Sequence, residues 1–366
     1  MNTTIREYLS DTRHHDSNYS DYKEKTKEHI HDVFAKFKLQ TYYDTFNVSS
    51  LSSTAQFHTV IGVLRGTKFG TKDDAILGVG AHYDTGNTTK GVDENGSGVA
   101  ALLEVTRKIM EMNKQGTKRG NTIIFVSFDL EEENQFGSKH FVQNWFPKWL
   151  LANYGSDSSM VTTQGIIILD TLMEYSTKNN SQSFPEEIDV NGSFPETYKS
   201  IKSDYFRGDF LTLIYRKPTA DLKLANAFKR AWSNSGRLKY EIEEFALPIR
   251  NASNLTNAQM YSDFFESDQY SFWDGMLPAI QLTDTGHFRG NMKRCYQRQC
   301  DNLETLLTDN NIKFLGKTAD ATAMTIHSLS EPTSGDSSGG LSLGISITTT
   351  IIAAVVVWLR NQITFT

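Results

Sequence analysis

Three short apolar runs, AILGVGAH (Ala75 to His82), NTIIFVSF (Asn121 to Phe128) and GIIILD (Gly165 to Asp170), each break off at or just before an acid or a histidine. A fourth, LPAIQLTD (Leu277 to Asp284), ends the same way. Runs this apolar along their whole length suit strands buried on both faces. Between the first two lies SGVAALLEVTRKIMEM, in which Val99, Leu102, Leu103, Thr106, Ile109 and Met110 form one helical stripe. Strands alternating with helices predict an α/β chain whose largely parallel sheet is covered on both faces. Such sheets carry their chemistry at the carboxyl ends of the strands.

Those ends hold ligand-grade side chains. His82 closes the first run with Asp84 two residues on, Glu131 and Glu132 follow the second in FDLEEENQFGS, and Asp170 closes the third. Asp93 lies in KGVDENGSGVAALLE, just before the glycines that open the helix. Each alone reads as a turn, a cap or a core histidine. Gathered at one sheet edge, unpaired carboxylates must either protonate or recruit a cation. Imidazole mixed with carboxylates suits zinc better than magnesium or calcium. Adjacent side chains diverge, so of two neighbouring glutamates one can hold metal while the other stands free as a general base. Glu133 would then face solvent.

Composition narrows the partners. With 37 basic against 43 acidic residues the net charge is −6, and no long basic run occurs, which argues against nucleic acid. Cys295 and Cys300 in CYQRQC suit a small disulfide loop or, as the other possibility, a pair of thiolate ligands. Sequons at Asn2, Asn18, Asn47, Asn87, Asn95, Asn179, Asn191, Asn251 and Asn254 lean toward a secreted or lumenal chain. The opening MNTTIREYLSDTRHHDSNYS shows no apolar signal region, so export would call for an upstream segment.

Five segments are expected. Residues 1–43 form a helical segment packing on the body, with Ile30, Val33, Phe34 and Phe37 at helical spacing between Tyr22 and Leu39. His29 and His31 lie on it, two residues apart and so on nearly opposite sides, which excludes a ligand pair. Residues 44–318 are the α/β body, 319–340 a Ser/Gly-rich stalk, 341–359 an apolar anchor (LSLGISITTTIIAAVVVWL), and 360–366 a short tail. The apolar stretch has the length of a bilayer span; a glycolipid-anchor signal and a buried core helix are the alternatives.

AHYDT, GVDENGSGVAALLE, FDLEEENQFGS, LDTLMEY and TDTGHFRGN…CDNLETL resemble, in order and spacing, the co-catalytic di-zinc aminopeptidase family, which is related to glutaminyl cyclases and glutamate carboxypeptidases. The resemblance covers about His58 to Leu307. It implies a zinc-exopeptidase-like three-layer α/β sandwich, with a mostly parallel mixed sheet between helices. It also implies two zinc ions: His82, Asp93 and Asp170 on one, Asp93 and Glu132 on the other, Asp93 bridging. Glu131 is the implied general base, and Asp84 orients His82. Two positions depart from the pattern. Gln297 stands where the family has its last histidine ligand, and Gln269 stands where a Ser-Asp-His segment is usual. An amide is a poor zinc donor, which weakens the second site; His287, nearby in sequence, is the candidate to compensate.

The expected function is that of a zinc-dependent aminopeptidase, hydrolysing N-terminal peptide bonds of peptides with a free N-terminus through a metal-activated water and Glu131. Its expected place is the extracellular or lumenal face of a membrane. The alternatives are a catalytically silent peptidase-like ectodomain acting in binding, and a single-zinc enzyme of the glutaminyl cyclase type. The last is disfavoured because its site relies on the histidine that Gln297 replaces.

Overall fold

The computed structural model describes residues 1–52, 54–114, 119–236, 240–252 and 254–330. The apolar runs form one eight-stranded sheet: β1 (Gln40–Phe46), β2 (Phe57–Leu64), β3 (Ala75–His82), β4 (Ile123–Phe128), β5 (Thr162–Leu169), β6 (Phe210–Arg216), β7 (Glu241–Leu247) and β8 (Ala279–Thr283). Their order is β1-β2-β4-β3-β5-β8-β6-β7. The four central strands, β4-β3-β5-β8, are mutually parallel, while β2 joins β4 and β6 joins β8 in antiparallel fashion. The sheet is thus mixed with a parallel heart, as the apolar runs imply.

Alternation along the central strands divides the core in two. Leu77, Val79 and Ala81 of β3, Ile123 and Phe125 of β4, and Ile167 and Leu169 of β5 face one layer of helices. That layer is built by α1 (Asn2–Tyr8), α2 (Ser20–Lys36), α3 (Gly96–Lys114), and the helices Asp221–Asn234 and Asp309–Ser330. Ile124, Val126, Phe128, Ile166 and Ile168 face the other, with Phe141, Trp149, Phe272 and Trp273. Each fully buried residue of this size contributes about 1.5–3 kcal/mol, so the middle strands anchor what hangs from their ends. Gly78 and Gly80 leave room on β3: a Cβ would sit 2.9 Å from Ile166 and 2.7 Å from Phe128.

Within residues 1–43 the chain forms α1 and α2 and then enters β1 at Gln40, with Ile30 and Phe34 of α2 buried. His29 stacks on Tyr8 and His31 on Tyr43. The stalk does not begin at residue 319, because the last helix runs on to Ser330. Thr318, Thr322 and Thr325 are buried and each bonds back to the carbonyl four residues earlier. No helix among the described residues is long and apolar enough to cross a membrane, and the apolar segment 341–359 lies outside them.

Candidate metal centre

Register brings the three strand ends level. His82 pairs with Phe128, the last residue of β4, and Gly80 pairs with Ile168 of β5, so Asp170 lies two residues beyond and alongside His82. The His82 ring is buried and turns Nε2 toward three carboxylates: Glu94 Oε1 at 3.1 Å, Asp170 Oδ1 at 3.6 Å and Glu131 Oε2 at 3.7 Å. Asp170 Oδ1 is buried and, among the described residues, meets no hydrogen-bond donor. An orphaned carboxylate oxygen beside an imidazole nitrogen is what a cation site looks like at the level of its donors.

Asp84 does more than orient the ring. Its Oδ1 lies 3.4 Å from His82 Nδ1 and also accepts the backbone N–H of Glu131 at 3.1 Å, while Oδ2 accepts that of Glu132 at 3.2 Å. One carboxylate thereby fixes the histidine to the turn that carries both glutamates. Leu130 at φ 54° begins that turn and Gln135 at φ 57° ends it, and Thr171 and Gln297 are also left-handed. Such conformations in residues other than glycine cost about 1–3 kcal/mol each and gather at functional sites. Asp129 secures the turn from behind, held by Lys23 Nζ at 2.6 Å and by the Tyr83 hydroxyl at 2.9 Å.

Glu94, rather than the expected Asp93, is the acid that contacts the His82 ring. Asp93 Oδ1 accepts the backbone N–H groups of Leu172 and Met173 at 3.1 and 2.9 Å. Asp301 makes the choice between the two acids. Its Oδ1 accepts from Asp93 N at 2.8 Å and its Oδ2 from Glu94 N at 3.1 Å, which fixes the backbone so that only Glu94 points at the ring. Asn95 follows, accepting from Gly98 N at 3.0 Å to cap α3 and donating to Leu169 O at 2.8 Å. Wholly buried with both ends of its amide engaged, Asn95 has no room for a glycan, so that sequon is excluded.

The charge balance calls for a cation. Burial pushes Glu131 and Glu94 well above the usual carboxylate range, and Asp170 adds to both. Burial opposes charge on His82, but Glu131, Asp170, Asp84 and Glu94 outweigh it and hold the ring well above its ordinary value. A metal ion bound there takes over the proton's role as neutralising charge. Asp93 belongs to another pair: burial, then Asp284, raises it well above its usual range.

The second expected metal position is filled differently. Gln297 donates its amide Nε2 to both oxygens of Glu132, at 2.6 and 2.8 Å, and Gly86 N donates to Glu132 Oε1 at 3.0 Å. Cys295 and Cys300 are disulfide-bonded and close the loop that bears Gln297. His287 does not compensate: its ring packs on Phe288 and Tyr296. Gln269 is buried and donates to Phe264 O at 2.8 Å, a structural role. Glu133 is half-buried, 3.9 Å from His14 Nε2.

Glu94, Glu131, Glu132, Asp170 and Gln297 line the inner end of a cavity of about 750 Å³. Its far wall is apolar, made by Val190, Phe210, Ile214, Phe245 and Phe264. The cavity therefore joins an acidic floor to a greasy side pocket.

Comparison with known proteins agrees with this architecture. Residues 59–217 match the model of peptidase family M28. The chain is 25% identical over 229 residues to the uncharacterized protein YfbL of Escherichia coli, covering 60% of this chain and 59% of that protein. It is 26% identical over 193 residues to an aminopeptidase of Pseudomonas aeruginosa, covering 43% of this chain and 34% of that one. The matches thus span less than two thirds of these relatives. Among solved structures, Porphyromonas gingivalis glutaminyl cyclase shares the fold with a TM-score of 0.56 at 14% identity, over 89% of this chain and 96% of that one. Motif order, relatives and fold all point the same way, and over residues 59–217 the chain is similar to peptidase family M28.

Proposed function

We propose that the protein is a zinc-dependent exopeptidase of the aminopeptidase kind, acting on peptides with a free N-terminus. The observation that carries this reading is the buried constellation of His82, Glu94 and Asp170, with Glu131 3.7 Å from the same imidazole nitrogen. One imidazole and two carboxylates make a donor set that fits zinc. Zinc, if held there by His82, Glu94 and Asp170, would supply Lewis acidity toward the scissile carbonyl and would acidify a water beside Glu131. Glu131, whose proton affinity is raised by burial, receives that proton and returns it to the departing amine. Asp84 keeps Glu131 and His82 in register while this happens. The apolar wall of the cavity suits an apolar or aromatic first side chain.

The disulfide and the remaining sequons support placing the chain on the extracellular or lumenal side, tethered through 341–359. A silent, ligand-binding role is the second reading, favoured by the contact between Gln297 and Glu132. Hydrolysis of a panel of aminoacyl reporter amides by the purified full-length chain with added zinc decides between them. Turnover that falls by at least about 1,000-fold in Glu131→Gln supports the peptidase; no turnover at any zinc concentration favours the silent reading.

A further inference from the structure

Di-metal chemistry needs Glu132 free to bind the second ion and a strong donor opposite it. Here both carboxylate oxygens accept from the Gln297 amide, at 2.6 and 2.8 Å, and Oε1 accepts Gly86 N as well. An amide that donates has its N–H₂ face, not its oxygen, toward the carboxylate, so no lone pair of Gln297 is directed at the space a shared cation would need. The oxygen is accounted for on the other side. A Cβ at Gly86 would lie 2.3 Å from Gln297 Oε1, so the oxygen rests close against the backbone at Gly86. The backbone supports the same orientation: Thr88 Oγ1 donates to Gln297 O at 2.8 Å, and Gln297 is bounded by the Cys295–Cys300 disulfide.

We infer that this chain binds one metal ion, at His82, Glu94 and Asp170, and that the Glu132–Gln297 clasp stands in the second ion's place as an organic anchor for the substrate's ammonium group. An ionised carboxylate accepts about four hydrogen bonds and Glu132 receives three, which leaves acceptor capacity on the cavity side. An alkylammonium is a compact cation that brings its own donors, so it pairs with that carboxylate without requiring a third protein ligand. The idea rests on the peptidase reading for its substrate, but its metal count does not.

Elemental mass spectrometry on the dialysed full-length chain is the test, with zinc titrated by calorimetry. The expected result is one zinc per chain for the wild type and for Glu132→Gln. Gln297→His, which offers an imidazole at a left-handed position that histidine tolerates, is expected to raise the count to two. Should the wild type hold two ions and Glu132→Gln one, Glu132 is a ligand and the clasp is overturned. On active protein, Glu132→Gln is expected to raise KM for free-amine substrates about tenfold or more at little cost in kcat, while Nα-acetylated peptides gain nothing. A KM unchanged by Glu132→Gln removes the ammonium anchor. If no substrate turns over, the peptidase reading falls, while a count of one still upholds the closed second position.

Discussion

Glu94 and Asp170, which converge on His82, and Glu132, which is held by Gln297, line one cavity and show opposite ways of holding a carboxylate. Around His82 the acids are crowded and under-bonded: Asp170 Oδ1 has no donor among the described residues, and Glu94, Glu131 and Asp170 all converge on one nitrogen. Beside Gln297, Glu132 is bonded at both oxygens. Crowding without donors stores a demand for a cation, whereas a carboxylate already met by N–H groups has that demand satisfied. The difference teaches that donor saturation, more than residue identity, separates a metal position from a structural one in this fold.

The sharpest way to break the contrast is at Asp93 and Glu94. Glu94→Gln is expected to weaken zinc by upwards of about 100-fold in a calorimetric titration, since even residues behind metal ligands are worth 10- to 100-fold. Asp93→Asn should leave zinc affinity within a factor of about three, because its partners are the N–H groups of Leu172 and Met173 and the neighbouring Asp284. The reverse pattern would restore Asp93 as the bridging ligand.

Gly86→Ala probes the clasp side more gently. The added methyl displaces the end of a flexible side chain, so the melting temperature is expected to fall by less than about 2 °C, equivalent to about 1 kcal/mol. The Gln297 amide must turn, and KM for free-amine substrates should rise several-fold while the metal count stays at one. An unaltered KM would mean that the amide's orientation is immaterial.

The smallest effect is a baseline for both sites. Burial pushes Glu243, far from the metal centre, up to about 7, and Ser200 donates to it at 2.6 Å. Its folded-state pKa is raised, so its contribution to stability is complete below the ordinary carboxylate range and is lost as pH climbs through 7. Metal-free protein should therefore melt higher at pH 5 than at pH 8 partly through this group. Glu243→Gln is expected to flatten that slope, and a slope unchanged by it would assign the whole pH effect to the site carboxylates.

Much of this was readable in the chain. Uninterrupted apolar runs located the parallel heart of the sheet, and the polar residues ending them located His82, Asp84, Glu131, Glu132 and Asp170. The flanking strands were not read. β1 is partly exposed and β7 alternates, so neither has the long apolar signature. Choosing between Asp93 and Glu94 failed for a different reason. Two adjacent acids carry the same local signal, and Asp301, which decides between them, lies 207 residues beyond Glu94. The last helix was cut short because the Ser/Gly-rich composition that marks a stalk was carried back to residue 319, whereas the helix, with Thr322 and Thr325 bonded one turn back, runs to Ser330.

Arg13 is wholly buried and donates to the carbonyls of Asp11, Tyr83, Lys90 and Gly91, along the loop that leads into Glu94. The N-terminal arm is therefore a docked key whose single charged tooth sits under the metal centre. A proteolytic clip or a bulky fusion that pulled those residues out would strip the Tyr83, Lys90 and Gly91 carbonyls of their donor and unpin the loop. Enzyme assays on this protein would then report, before anything else, whether its first dozen or so residues are seated.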